Sequence, residues 1–224
     1  MSDATPTRTI HHGDGVAWLE AAALPADHAI VTSMPDHSEL PALGVEGWKR
    51  WFVDVAELAC RRVADESVAI FFQTDVKHEG RWIDKGFLVS RGAERAGSHL
   101  LWHKIACRAP LGSTTFGRPA YAHLLCFSRE LRLATGQSSP DVLASVGEMP
   151  WARAMGVDAC RAVSAFLRAH TQCRTIVDPF CGVGTMLAVA NAEGFDAIGV
   201  ELSRKRSERA RALVIEAPAR GSNC

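Results

Sequence analysis

The residues with the most chemical content lie late in the chain, where Thr175-Ile176-Val177 runs into Asp178-Pro179-Phe180-Cys181-Gly182-Val183-Gly184-Thr185. A β-branched strand, a Gly-x-Gly turn and a helix over 186–193 together suit a nucleoside ligand. Gly182 and Gly184 let the backbone turn tightly and approach the ligand. The free amides and partial positive charge at the start of the helix favour a carboxylate. The following strand, Ala197-Ile198-Gly199-Val200, ends in Glu201, whose carboxylate can accept protons from both hydroxyls of a ribose. A lone Gly-x-Gly can equally be a structural turn before a helix. The ordered set of strand, Asp-Pro-Phe, Gly-x-Gly-Thr, helix, strand and acid is far more specific.

That ordered set resembles the first and second motifs of the amino-methyltransferases that modify nucleic-acid bases. The resemblance implies a Rossmann-like class I methyltransferase fold with S-adenosyl-L-methionine as cofactor, and Asp178, Phe180, Gly182, Gly184, Thr185 and Glu201 in the cofactor site. Most such enzymes carry the glycine loop near the N-terminus, whereas here it lies near residue 180, so the other parts must precede it. His12-Gly13-Asp14-Gly15 follows a short strand, and Ala29-Ile30-Val31-Thr32-Ser33-Met34-Pro35-Asp36 is a strand emptying into a turn. A Gly-Asp element first, a catalytic loop second and a cofactor loop last is similar to the permuted β group of DNA amino-methyltransferases. Trp102-His103-Lys104 and His123-Leu124-Leu125-Cys126-Phe127-Ser128 look like the late strands of that group. By the resemblance Asp14 meets the adenine of the cofactor; as a plain residue it can instead cap the helix that follows.

The resemblance also places the catalytic residues at Ser33, Pro35 and Asp36, and here the sequence departs from the family. Amino-methyltransferases carry a polar residue, one or two prolines and an aromatic ring, which draw on the amine hydrogens and stack on the base. In Ser33-Met34-Pro35-Asp36 the serine can accept a hydrogen bond and the proline fixes the turn, but the ring has become a carboxylate. Asp36 is therefore expected either to orient or deprotonate a different nucleophile, or to mark a loop that has lost catalysis. It can also cap a helix before Glu39 and Leu40, and His37 reads as a surface histidine.

The family's sequence-reading DNA enzymes insert a recognition segment between the late strands and the helix before the cofactor loop. Here 109–120 is a short loop and 130–150, with Gly136, Ser138, Ser139, Pro140 and Gly147, reads as a linker. A restriction-type enzyme is disfavoured, and recognition by shape, as in structured RNA, or through a partner protein is expected. Arg118 and Lys104 are candidates to hold a phosphate, and Phe116 or Tyr121 to replace the missing ring. Arg204, Lys205, Arg206, Arg209 and Arg211 read as a solvated helix face, and Trp48 and Trp51 as core.

The elements that must position these residues alternate along the chain. Short apolar strands are expected over 8–11, 29–33, 68–73, 100–106, 123–128, 175–177 and 197–201. Helical periodicity is clearest over 46–63, where Trp48, Trp51, Phe52, Val55, Leu58, Ala59 and Val63 share a face, and recurs from Val157 to Leu167. Strands separated by helix-length segments imply a doubly wound, mostly parallel α/β sheet. At 224 residues one domain is expected, with a catalytic-loop half over 1–129, the linker, a cofactor-loop half over 151–216 and a tail over 217–224.

Composition limits the alternatives. With 47% hydrophobic and 22% charged residues and a mean hydropathy of zero, the chain reads as a soluble globular protein, without a membrane span or a secretory signal, and a cytoplasmic location is expected. Seven scattered cysteines without a Cys-x-x-Cys pair argue against disulfides and a zinc site, and no metal is expected. Lys and Arg balance Asp and Glu at 25 each, so a polyanion must be held by a local patch, by a second subunit of a homodimer, or weakly. The expected activity is methyl transfer from S-adenosylmethionine to a base nitrogen of nucleic acid, RNA ahead of DNA. The alternatives are a catalytically silent subunit supporting a partner enzyme, and a small-molecule methyltransferase.

Overall fold

The computed structural model describes residues 5–217; residues 1–4 and 218–224, which include most of the expected tail and Cys224, lie outside the described residues. In chain order the elements are β1 (Arg8–His12), α1 (Gly15–Ala21), β2 (His28–Thr32), α2 (Gly44–Arg62), β3 (Ala69–Gln73), β4 (Val76–His78), β5 (Arg81–Ile83), α3 (Lys85–Arg95), β6 (His99–Cys107), β7 (Tyr121–Ser128), β8 (Val142–Leu143), α4 (Val157–His170), β9 (Thr175–Asp178), α5 (Thr185–Ala192), β10 (Asp196–Glu201) and α6 (Arg204–Ala212). Eight strands form one sheet in the order β1-β10-β9-β2-β3-β7-β6-β8, and β4 and β5 form a separate hairpin.

The strands at the centre are continuous apolar runs because both faces of the sheet are covered. Every residue of β9 and of β3 is buried. Along β3 the faces alternate: Ile70 and Phe72 join the core beneath α4 and α5, while Ala69 and Phe71 join the core beneath α2 and α3. The second core takes the amphipathic stripe of α2, with Trp48, Phe52, Ala56 and Ala59 almost fully buried. Each large side chain so buried contributes about 1.5–3 kcal/mol. Helix α3 crosses α2 closely at Gly92, where a Cβ would lie 2.4 Å from the Val53 carbonyl oxygen.

The expected mostly parallel sheet is present: β1, β10, β9, β2 and β3 run parallel to one another. The far side differs, since β7 is antiparallel to both β3 and β6. The reason lies in the connection from β6 to β7, which contains no helix to make a parallel crossover. The stretch 130–150 is also more than a linker. It adds β8 to the edge of β6, and the Val146 amide donates to the Cys107 carbonyl. The β4–β5 hairpin and α3 have no counterpart in the sequence expectations: the hairpin strands are only three residues each, and the stripe of α3, Leu88, Val89, Gly92 and Ala93, is short and interrupted by glycine.

Candidate functional site

Parallel strands of a doubly wound sheet open a crevice at their carboxyl ends, and the sequence-nominated residues meet there. Strands β2 and β9 are neighbours in register, so Ser33-Met34-Pro35-Asp36 after β2 lies beside Asp178-Pro179-Phe180 after β9. A cavity of about 210 Å³ is lined by Asp14, Ser33, Pro35, Asp36, Asp178, Phe180, Gly182, Thr185 and Glu201. It brings together every residue nominated for catalysis or cofactor binding except Gly184.

Gly184 has a different use. At φ +81° it precedes α5, and a Cβ there would come within 2.9 Å of the Ala210 Cβ, so the glycine admits α6 against the loop. Gly182, at φ +57°, does line the cavity, facing Trp151. Gly15, not singled out from the sequence, is as demanding: a Cβ would sit 2.0 Å from the Pro179 carbonyl oxygen. It therefore lets α1 dock on the cofactor-loop backbone.

The carboxylates at this end divide by environment. The Asp178 side chain accepts from the Thr32 hydroxyl at 2.6 Å and from the Phe180 amide at 3.1 Å. Burial nonetheless pushes its pKa up to about 7, against those donors and with help from the nearby Glu201 charge. Glu201 is buried; its Oε1 accepts from the Ser203 amide at 2.7 Å and Arg206 Nε at 2.8 Å, while no protein group among the described residues bonds Oε2. Asp14 caps α1, its Oδ1 accepting from the Val16 and Ala17 amides, so the capping alternative holds while the residue also lines the cavity. Thr185 Oγ1 is buried without a hydrogen-bond partner among the described residues. Cys181 lines the cavity too, but burial holds its thiol high, which argues against a thiolate nucleophile.

At the acceptor end, Asp36 is not a free carboxylate. Lys85 Nζ donates to its Oδ1 at 2.7 Å and Arg118 Nη2 to its Oδ2 at 2.5 Å. Burial works to raise its pKa, but the two cations outweigh burial and hold it below the ordinary carboxylate range. A carboxylate held this way is a poor proton acceptor, which weighs against Asp36 deprotonating a nucleophile. Asp36 also stands at the N-cap of the short turn His37–Glu39, in a capping box in which its backbone amide donates to Glu39 Oε2 at 3.1 Å. The Ser33 hydroxyl has no hydrogen-bond partner among the described residues, and the Pro35 carbonyl accepts from Trp48 Nε1 at 3.1 Å. His37 is half-buried against Trp48 and His78 instead of lying on the surface.

Several surroundings differ from expectation for clear physical reasons. Lys104 is buried and donates to the Ser139 and Pro140 carbonyls, so it anchors the 130–150 stretch and is not at the cavity. Phe116 and Tyr121 do not line the cavity; the rings that do are Trp51, Phe72, Trp151 and Phe180. Trp51, expected in the core, packs edge-on to Phe180 at 6.0 Å. Arg206, expected in solvent, turns inward to Glu201, and Glu39 lies 3.6 Å from Arg206 and 3.2 Å from Arg153. Beside the cavity, Asp75, Asp84 and His123 hold ligand atoms within 4.8 Å of one another. There His123 joins Asp75 at 3.1 Å and His103 at 2.9 Å, and Asp75 and Asp84 accept from the Lys85 and Phe87 amides, which accounts for the group as a hydrogen-bond network. Lys85 and Asp75 carried no sequence signal, since 76–85 follows no period and only the fold brings them to Asp36 and His123.

Among solved structures the chain resembles TTHA0409 of Thermus thermophilus, provisionally described as a DNA modification methylase, with a TM-score of 0.70 and 19% identity over 95% of this chain and 97% of that one. The same protein complexed with S-adenosyl-L-methionine gives 0.67 and 18%, over 92% and 93%. The PvuII DNA methyltransferase, cytosine-N4-specific, gives 0.70 and 17% over 94% and 88%. The M1.HpyAVI–SAM complex gives 0.57 and 14% over 92% and 98%. At these identities the likeness establishes the fold, a class I methyltransferase fold. No protein-family model matches the sequence, and no curated protein matches it.

Proposed function

We propose that the protein is an S-adenosylmethionine-dependent methyltransferase of the permuted amino-methyltransferase kind, acting on a base nitrogen of nucleic acid. The observation that carries the reading is the convergence of Asp14, Ser33, Asp178, Phe180, Gly182, Thr185 and Glu201 on one cavity from both ends of the chain. The chain order, with the glycine loop after β9 and the Ser33 loop after β2, supports the permuted arrangement. The pairing of β1 with β10 supports reading the chain as one domain.

The residues present fit the cofactor. The unbonded Glu201 Oε2 suits a ribose hydroxyl, the unpartnered Thr185 Oγ1 and the start of α5 suit a carboxylate, and Phe180 and Asp14 flank the place for a purine. When bound, S-adenosylmethionine supplies a methyl group already activated as a sulfonium. The chain's task is then positioning: Ser33 accepts a hydrogen bond from the acceptor amine, Pro35, held by Trp48, fixes the loop, and the acceptor is brought in line at about 3–3.5 Å. Asp36 acts through Lys85 and Arg118 as a positioning residue.

DNA is placed ahead of RNA. The short 109–120 loop argued for RNA, yet TTHA0409 has nearly the same extent and carries a DNA-methylase description. The test is transfer of radiolabelled methyl from S-adenosylmethionine to genomic DNA, total RNA and small-molecule extract from a host lacking the gene. Label in DNA supports the reading, label in RNA alone reverses the order of substrates, and label in the small-molecule extract or in no pool overturns it.

A further inference from the structure

At the acceptor end of the cavity one cation is left without a counter-ion. Lys85 and Arg118 share the Asp36 carboxylate, and Glu39, which also lines the cavity, lies against Arg153 and Arg206, while Arg108 faces the same space. The half-buried Arg108 guanidinium has no hydrogen bond or acidic partner among the described residues. Its neighbour is a second cation: burial first, and then the Arg118 charge, hold the Arg108 pKa down. Two guanidiniums on one wall with a single shared carboxylate leave a place for an anion, and paired forks of donors match phosphate oxygens.

Arg108 and Arg118 stand at the two ends of one loop. The Arg108 and Ala109 amides both donate to the Ala120 carbonyl, at 2.7 and 3.2 Å, closing the neck of the segment. Beyond that neck Leu111 and Phe116 are 85% and 93% exposed, an apolar tip beside a cationic base. The cations suit the phosphate of the nucleotide whose base enters the cavity, and Phe116, which lies outside the cavity, can stack a neighbouring base of a strand.

We propose that Arg108 and Arg118 form a binding site for the phosphate of the nucleotide that carries the methyl acceptor, with the 109–120 loop as its outer wall and Asp36 aiming Arg118. The assignment rests on the methyltransferase reading and names its substrate chemistry. A phosphodiester in a strand and the phosphate of a free nucleotide present the same oxygens.

The test measures binding of a short fluorescein-labelled single-stranded oligodeoxynucleotide by anisotropy, with deoxyadenosine, deoxycytidine and their 5′-monophosphates as competitors. Cofactor binding is followed in parallel by calorimetry, and folding by thermal unfolding. Arg108→Gln is expected to weaken the oligonucleotide by about 10- to 100-fold with cofactor affinity unchanged. The salt slope should fall by about 0.7, and Arg108→Lys, which keeps charge and loses the fork, should lie between. Monophosphates are expected to compete better than nucleosides. Monophosphates as tight as the oligonucleotide assign a free nucleotide, and a tighter oligonucleotide assigns a strand. No oligonucleotide binding by the native protein, equal competition by nucleosides, or unchanged affinity and slope in Arg108→Gln overturns the site. Failure of the cofactor to bind overturns the methyltransferase reading and leaves the phosphate result to stand or fall by itself.

Discussion

Replacing Asp36 by asparagine separates a proton acceptor from a buried counter-ion. The Lys85 side chain is 4% exposed and that of Asp36 8%, so the pair is shielded from water, whereas Arg118 is 42% exposed and can rehydrate. Asparagine keeps the shape and removes the charge, leaving the Lys85 ammonium buried beside Phe52 with no carboxylate in contact. Breaking one half of a buried pair costs roughly 3–5 kcal/mol. Lys85 can lower this by giving up its proton, since burial already depresses its pKa against the pull of Asp36. About two to four kcal/mol is therefore a reasonable range for the observed loss, on the order of the penalty for an uncompensated buried charge. Urea unfolding near neutral pH measures it, and Lys85→Met in the same background should restore most of the loss, because the orphaned charge is then gone. The wild-type contribution should also fade in acid: the folded Asp36 pKa is depressed, so its stabilisation is present above about 3.8 and is lost as pH falls through the lower folded value. Full stability of Asp36→Asn with no coupling to Lys85→Met, together with abolished turnover, would return Asp36 to the role of base and overturn its assignment as an anchor.

Asp178 carries the opposite linkage. Its carboxyl is pushed up to about 7 from 3.8, so its contribution is fully present below 3.8 and lost as pH rises through 7. Asp178→Asn should therefore gain on the wild type as pH rises from about 5 to about 8, by at most roughly 3 kcal/mol; parallel stability curves across that range would show that the carboxyl is not so perturbed. Gly15→Ala should cost about 1–3 kcal/mol by overpacking, since the new methyl meets the Pro179 carbonyl oxygen, and should weaken cofactor binding through the displaced loop. An alanine variant with unchanged melting temperature and cofactor affinity would show that α1 does not brace the cofactor loop.

How much of the site was legible in the sequence follows from how local each signal is. The stretch from Thr175 to Glu201 announces itself because strand, glycine turn, helix and acid are contiguous, and β9, α5 and β10 fall within a residue or so of their expected bounds. Ser33 and Asp14 were found by order along the chain, and parallel pairing of β2 with β9 brings Ser33 beside the Asp178 loop. Lys85 could not be found that way. It lies 49 residues from Asp36, and although Leu88, Val89, Gly92 and Ala93 give α3 a buried stripe, no local pattern links the start of that helix to the loop after β2. The turn at Gly184 was legible because a positive φ is a local property, whereas its second use, admitting Ala210 of α6, is not. Arg206 looked like one of several solvated cations on α6, and only the first turn of that helix aims it at Glu201.

The most direct measurement is calorimetric titration of S-adenosylmethionine into the wild-type protein and into Glu201→Ala, with thermal unfolding run on both. Saturable binding by the wild type, weakened at least about tenfold in a folded Glu201→Ala protein, is expected if the cavity at the ends of β9 and β10 is the cofactor site. No saturable binding by the wild type would mean that the fold is present without its cofactor, and equal binding by both would mean that the cofactor lies elsewhere.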